Sequence, residues 1–422
     1  MKKSAAAGWC MYDWANSAFP TIIMTFIFPT YFSQAVVDDP EVGTALWGQA
    51  MALAGVLLAV FAPIFGAIAD HAGHRARWLL AFTALCVLAT GLLWLVTPGS
   101  DSLVLAVILT VIATVAFEFS MVFYNAYLPE VAPREKWGRI SGWGWGLGYI
   151  GGLCCLVISL LGFVQAEIPW FGLATENAEH VRATFILVAI WLTFFSIPTF
   201  MFLPKSQTNG LPISQAVSKG FTTLFETFKK LAKEKVVLKY LIARMFYTDG
   251  LNTLFIFGGV YAAGTFGMDL AGVITFGIAL NVTAGIGAIT FSWFDDKWGP
   301  KRVILISIGS LTILCLGAVF VTDVMIFWVV GLTVGFFLGP AQSSSRSLLA
   351  HLAPPNLHTE YFGLYALSGK ATAFLGPWLL AMFTLWFDSQ RAGMAVIVGF
   401  FVVGGVMLWR LDLTANETSK GN

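Results

Sequence analysis

Twelve stretches of about twenty mainly apolar residues, most of them separated by short polar turns, constrain this chain more than any other feature. A helix of that length crosses the hydrocarbon core of a bilayer, where backbone groups must all be paired internally. In the first half the stretches fall at about 9–36, 44–69, 78–97, 102–128, 139–164 and 182–203. In the second half they fall at about 239–264, 269–294, 303–322, 325–349, 361–387 and 392–411. Only 11% of the residues are charged and 58% are hydrophobic, whereas a soluble chain carries roughly a quarter charged. The reading is therefore an all-α membrane protein of twelve transmembrane helices. A net charge of +1 gives no sign of a nucleic-acid partner.

The charges sort by loop. One side receives Lys2, Lys3, Arg75, Arg77, Arg134, Lys136, Arg139, Lys297, Lys301, Arg302, Arg410, Lys420 and the lysines of the central loop. The other side holds only Arg182 and Arg391. Basic loops stay in the cytoplasm, so both termini are expected there. The segment after Lys2 and Lys3 is broken by Asp13 and Asn16, which makes it a first span rather than a signal peptide. The expected organisation is an N-terminal six-helix bundle (1–203), a cytoplasmic linker (204–238), a C-terminal six-helix bundle (239–411) and a cytoplasmic tail (412–422). In the linker, Ile213, Val217, Phe221, Leu224, Phe228 and Leu231 recur at helical spacing among lysines. That pattern predicts an amphipathic helix on the inner leaflet, with a partner-binding helix as the alternative. The five cysteines lie in apolar stretches without metal or disulfide spacing and read as buried small hydrophobes.

Three internal repeats divide the chain into two parallel halves. Tyr12-Asp13-Trp14-Ala15-Asn16-Ser17-Ala18-Phe19 returns as Tyr247-Thr248-Asp249-Gly250-Leu251-Asn252-Thr253-Leu254-Phe255, with Asp13 and Asp249 displaced by 236 positions. The loop Gly66 to Arg75, with Asp70 and Gly73, is echoed by Asp295-Asp296-Lys297-Trp298-Gly299-Pro300-Lys301-Arg302 at an offset of 226. Gly138, Gly144 and Gly151 return as Gly363, Gly369 and Gly376 at an offset of 225. Repeated halves with a shared central site are a transporter design. The glycines at 138, 142, 144, 146, 148, 151 and 152 allow close helix packing in the fifth span.

Depth along the spans identifies candidate chemistry. At 1.5 Å per residue, Glu118, Asp249 and Lys370 lie about 14–15 Å from the inner ends of their helices, near mid-membrane. Asp13, Arg244 and Arg346 are shallower. A charge at mid-membrane costs at least about 2.5–3.5 kcal/mol unless paired or hydrated. These residues therefore read either as a solute and coupling site or as static ion pairs. The candidate set is Asp13, Asn16, Ser17, Glu118, Asn125, Asp249, Asn252, Thr253, Gln342, Arg346 and Lys370, a mixture of acids, amides, hydroxyls and cations that suits a zwitterion. For Asp13 a helix-capping role is the competing reading. A carboxylate without a partner at that depth suits proton coupling.

The loop motifs resemble the cytoplasmic signature of the major facilitator superfamily, Gly-x-x-x-Asp-(Arg/Lys)-x-Gly-(Arg/Lys)-(Arg/Lys). His71 and His74 stand where basic residues are usual, and Ser292 replaces the leading glycine of the second copy. The Tyr12–Phe19 octapeptide, Tyr247–Phe255 and Gly339-Pro340-Ala341-Gln342-Ser343-Ser344-Ser345-Arg346 resemble one branch, the bacterial relatives of the yeast autophagy-linked vacuolar amino-acid effluxer. The resemblance implies a cytoplasmic gate formed by Gly66, Asp70, Gly73, Arg75, Asp296, Lys297, Gly299, Arg302, Gly138 and Gly363, with Asp70 facing the eleventh span and Asp296 the fifth. Gly148 is followed by Tyr149, so the superfamily's antiporter Gly-Pro signature is unmet and the direction of transport stays open.

The expected function is secondary active transport of a small solute, an amino acid or similar polar metabolite, by rocker-switch alternating access. The expected partners are the solute and the lipid bilayer, with no nucleic acid; the expected state is a monomer in a bacterial cytoplasmic membrane. No cofactor or metal is expected beyond a coupling proton. The alternative is a transporter-like receptor or lipid-handling protein without solute flux. An enzyme is disfavoured: no His-Glu-x-x-His, Gly-x-Ser-x-Gly or Walker loop occurs.

Overall fold

The apolar runs fold into long helices in the computed structural model, which describes residues 3–37, 39–204 and 235–413 and scattered positions between 215 and 229. The first half supplies α1 (Lys3–Asn16), α2 (Pro40–Ala72), α3 (Arg75–Leu92), α4 (Leu103–Ala126), α5 (Trp137–Ser159) and α6 (Glu179–Phe202). The second half supplies α7 (Lys235–Phe266), α8 (Leu270–Trp298), α9 (Pro300–Phe320), α10 (Val324–Leu352), α11 (His358–Lys370), α12 (Leu375–Phe387) and α13 (Gln390–Trp409). Among the described residues, eleven helical segments are long and apolar enough to cross a membrane. The chain is thus an integral, multi-pass membrane protein. Helix α7 is not one of the eleven, although its 32 residues are ample in length. Arg244, Asp249, Asn252 and Thr253 dilute its apolar character. Large exposed side chains such as Ile313, Phe320 and Leu385 would be a liability in water but are the natural surface toward lipid tails.

Two spans are interrupted. The first, expected as one helix over 9–36, is one helical span from Lys3 to Val36, but its regular α-helix α1 ends at Asn16. Ser17 is a turn, and wide π-type turns follow at Pro20–Phe26 and Phe32–Val36. Such turns recur at functional sites. Asp13 therefore sits in the last turn of α1, buried, and does not cap a helix start; that alternative is corrected. The second interruption, residues 371–374, separates α11 from α12.

The chain divides into two compact units. One comprises 1–61, 72–131 and 147–210; the other comprises 62–71, 132–146 and 211–422. In the first unit α1 packs on α6, and α3 on α4 and α6. Its core is aromatic and aliphatic, with Phe19, Ile22, Phe28, Phe32, Phe117, Phe185 and Leu192 fully or nearly fully buried. Trp9 stacks on Tyr124 at 4.5 Å between ring centroids, and the Trp9 indole N–H donates to Tyr124 O at 2.9 Å. In the second unit α8 runs along α10, α7 along α13, and α9 against both α10 and α13. Lipid tails are as apolar as leucine, so contact quality rather than water exclusion holds these helices together.

The six apolar positions of the expected linker helix lie outside the described residues. Two described linker positions pack in the second unit: Gly220 lies against Ile68, and the Thr223 hydroxyl is 2.7 Å from His71 Nε2.

Candidate functional site

The loop motifs end helices and start others, and their carboxylates meet helix N-termini within the second unit. Asp70, near the end of α2, accepts hydrogen bonds from the Glu360 N–H at 2.8 Å and the Thr359 N–H at 3.3 Å. Both amides belong to the first turn of α11, where no intrahelical acceptor exists. A carboxylate there is stabilised by the two bonds and by the positive end of the helix dipole, about 0.5–2 kcal/mol for a cap. Asp296 does the same for α5: Oδ1 accepts from the Arg139 N–H at 2.9 Å, and Oδ2 lies 3.1 Å from Arg139 Nε.

Close approach makes these contacts. A Cβ on Gly66 would come within 2.6 Å of Thr359 O, and one on Gly363 within 2.6 Å of Ala62 O. Gly138 leaves room for Asp295, whose carboxylate would collide with a Cβ there at 2.3 Å. Gly73 and Gly299 hold positive φ angles of 68° and 86° at the turns after the motif aspartates. Arg75 pairs with Glu130 in the first unit. Lys297 and Arg302, expected at the same gate, have exposed side chains.

Arg346, placed by sequence among solute-facing groups, is 2% exposed and bound to α5. Its Nε donates to Ser141 Oγ at 2.8 Å and its Nη2 to Ser141 O at 2.7 Å. Ser141 Oγ in turn donates to Ser343 O at 2.7 Å, and the guanidinium lies over the Trp145 ring. The sequence motifs missed Ser141 and Asp295. Asp295 is 2% exposed and accepts from the Ser347 hydroxyl at 3.2 Å, while its neighbour Asp296 carries the motif. The paired aspartates were the available signal.

The two copies of the Asp-x-x-Asn motif occupy separate units. In the first, Asp13 and Asn16 are buried, and Asn16 Nδ2 contacts Met121 Sδ at 3.1 Å. The α5 glycines press against this turn: a Cβ on Gly148 would meet Ser17 Oγ at 2.7 Å, and one on Gly151 would meet Trp14 O at 2.4 Å. Glu118 is half-buried and Asn125 buried on the neighbouring α4.

In the second copy Asp249 is 1% exposed, and its Oδ1 has no hydrogen-bond partner. Thr253 Oγ1 donates to Asp249 O at 2.7 Å. Gly376, at the start of α12, sits so close that a Cβ would fall 1.9 Å from Thr253 Oγ1. Arg244 lies within electrostatic reach of Asp249, but its Nη1 donates to Tyr365 O and Ser368 Oγ, each at 2.7 Å. Its guanidinium carbon is 3.3 Å from the Tyr365 ring centroid. Asn252, Gln342 and Lys370 are half-buried. The second unit thus brings Asp249, Thr253, Arg244 and the α11–α12 interruption together. Arg244, which was not among the sequence candidates, joins them.

The family described as vacuole effluxer Atg22 like matches residues 44–420. A Bacillus subtilis (strain 168) protein, the uncharacterized MFS-type transporter YxiO, is 28% identical over 404 residues, spanning 95% of this chain and 93% of that one. Autophagy-related protein 22 of Coccidioides immitis (strain RS) is 22% identical over 505 residues, spanning 90% and 82%. The solved structure of XylE, a proton:xylose symporter of the major facilitator superfamily, superposes with a TM-score of 0.72 at 13% identity, spanning 96% and 94%.

Proposed function

The chain belongs to the Atg22-like vacuole effluxer family of major facilitator transporters, and on that premise we propose that it carries a small polar solute, an amino acid or similar zwitterion, by alternating access. It is a transporter by kinship and not an enzyme. The observation that carries the finer reading is Asp249: a carboxylate sealed inside a helical membrane protein, with one oxygen lacking any donor, beside a broken helix. Arg244 is within electrostatic reach but spends its hydrogen bonds on Tyr365 O and Ser368 Oγ, so in this reading a cation joins the carboxylate during the cycle. That step ties solute movement to an ion gradient, with Asp249 and Glu118 as the coupling carboxylates.

Asp13, Asn16, Ser17, Asn125, Asn252, Thr253, Gln342 and Lys370 supply the polar contacts to the solute in this reading. The Asp70–α11 and Asp296–α5 contacts, together with Arg346 on Ser141, serve as the gate that opens and reseals. We place twelve spans in the bacterial cytoplasmic membrane, with both termini and the linker inside, and a monomer as the working unit because both repeats sit in one chain. The kinship with a Bacillus protein supports the location.

Counterflow in proteoliposomes with pooled labelled amino acids, sugars and polyamines tests the proposal. Exchange of the amino-acid pool, accelerated by an imposed cation gradient, is the expected result. Binding without exchange of any pool would replace it with the receptor or lipid-handling reading.

A further inference from the structure

We propose that Asp249, Thr372 and main-chain oxygens of the interruption between α11 and α12 form a binding site for sodium. The proposal rests on the transporter reading and names the cation which that reading requires.

Two side-chain oxygens carry the argument first. Asp249 Oδ1 and Thr372 Oγ1 are both sealed from solvent, and neither has a hydrogen-bond partner. Yet the Thr372 hydroxyl lies beside the Asp249 carboxylate. The two side chains are within reach of one another, yet neither oxygen has a hydrogen bond of normal geometry, and a buried polar oxygen left so costs about 1–3 kcal/mol. A cation between them removes both costs at once.

The backbone contributes next. A continuous helix would send the Ala373 N–H to Gly369 O and the Leu375 N–H to Ala371 O. Here the Ala373 N–H goes to Lys370 O at 3.3 Å and the Leu375 N–H to Thr372 O at 2.7 Å, each one residue short. Gly369 O and Ala371 O thereby lose their helical donors. Carbonyls released at such breaks coordinate alkali ions in other transporter folds. The contact of Gly376 with Thr253 keeps the broken segment against the Asp249 turn.

The donor set selects the ion. Among the described residues no group of three or more His, Cys, Asp or Glu side chains comes together, which a transition metal would want. One carboxylate with neutral hydroxyl and carbonyl oxygens suits a hard, singly charged cation. A proton needs only the carboxylate and has no use for Thr372 or for the carbonyls. Arg244 and Lys370, both nearby, oppose cation binding and keep it weak enough for release, although Arg244 already donates to Tyr365 O and Ser368 Oγ. The first motif copy has no counterpart, because α5 runs unbroken past it.

The test uses the purified full chain, with thermal unfolding in sodium chloride against choline chloride at equal ionic strength. Sodium is expected to raise the midpoint by a few degrees, since a ligand that binds only the folded state stabilises it. Thr372→Val should erase the shift and Thr372→Ser should keep it, which separates loss of the hydroxyl from loss of the fold. In proteoliposomes, an inward sodium gradient should drive accumulation in the wild type and fail to do so in Thr372→Val. Equal midpoints in the two salts, or accumulation that follows a proton gradient and survives Thr372→Val, would overturn the site. A Thr372-dependent sodium shift in a protein that exchanges no solute would support the site and sink the transporter reading instead.

Discussion

The two copies of the Asp-x-x-Asn motif begin from nearly the same sequence and end in different backbones. In the first copy the motif helix itself stops, at Asn16. In the second, the motif helix α7 runs through unbroken, and the interruption falls on its neighbour at 371–374. Proline placement explains the exchange. Pro20 cannot donate to Asn16 O, four residues back, and α1 ends there. The repeat puts Ile256 at the matching position of α7. In the other helix pair the roles reverse: Gly152 in α5 matches Pro377 in α12, whose ring excludes the helical bond to Ala373 O. Each copy of the motif therefore lies beside one break, but only the second pairs an intact polar helix face with loosened carbonyls. Pseudo-symmetry has been kept in packing and given up in chemistry.

The comparison makes Asp249 and Asp13 unequal, and substitution should expose it. At about 2.5–3.5 kcal/mol for a mid-membrane charge, Asp249→Asn is expected to lower coupled flux on the order of 100-fold with the fold intact. Asp13→Asn should cost about tenfold or less, because it sits at the end of its own helix and faces an unbroken α5 rather than a broken neighbour. Glu118→Gln should behave like Asp249→Asn. Initial rates in proteoliposomes, with circular dichroism as the folding control, decide the matter; equal losses at Asp13 and Asp249 would dissolve the asymmetry.

Closing the second break should be nearly as informative. Pro377→Ala relieves a conflict of about 3 kcal/mol with a continuous helix. The 371–375 amides should then become protected and the sodium response weaken by about tenfold, the loss of one good contact. Unchanged protection there would mean that proline is not what breaks the span.

The glycine contacts differ in a way that stability can read. Gly151→Ala drives a methyl into the Trp14 backbone, which cannot rotate aside, and should cost about 2–3 kcal/mol in detergent melts. Gly376→Ala meets the Thr253 hydroxyl, which can turn away, and should cost about 1 kcal/mol while reducing flux. Asp70→Ala removes a helix cap and should cost a comparable amount, about 0.5–2 kcal/mol. Asp296→Ala should cost less than Asp70→Ala in the same melts, because its partner Arg139 is a third exposed and surface pairs contribute little.

Much of this was legible before any coordinates. The apolar runs, the repeats and the position of Asp70 and Asp296 at helix ends are local or periodic signals, and α2 to α6 and α8 to α10 begin and end close to where those runs do. The first span holds as a span, but its change from α-helix to wide π-type turns was missed although Pro20 was in plain view, because a membrane helix often tolerates proline and composition alone does not say how it will adapt. The roles of Ser141 and Thr372 were hidden for another reason. Ser141 binds Arg346, 205 positions away, and Thr372 matters only because α7 lies beside it. No spacing rule reaches that far. Asp295 and Asp296 show the limit most sharply: adjacent identical residues, one capping α5 and one buried against Gly138, divided only by which way a helix faces.

The bonds from Asp70 to Thr359 and Glu360 have a further use as a clock. First-turn amides of a helix ordinarily trade their hydrogens with solvent quickly, since nothing within the helix holds them. These two are held by a side chain some 290 positions earlier in the chain. Their deuterium uptake therefore reports how often that one contact lets go, residue by residue, with no label to attach.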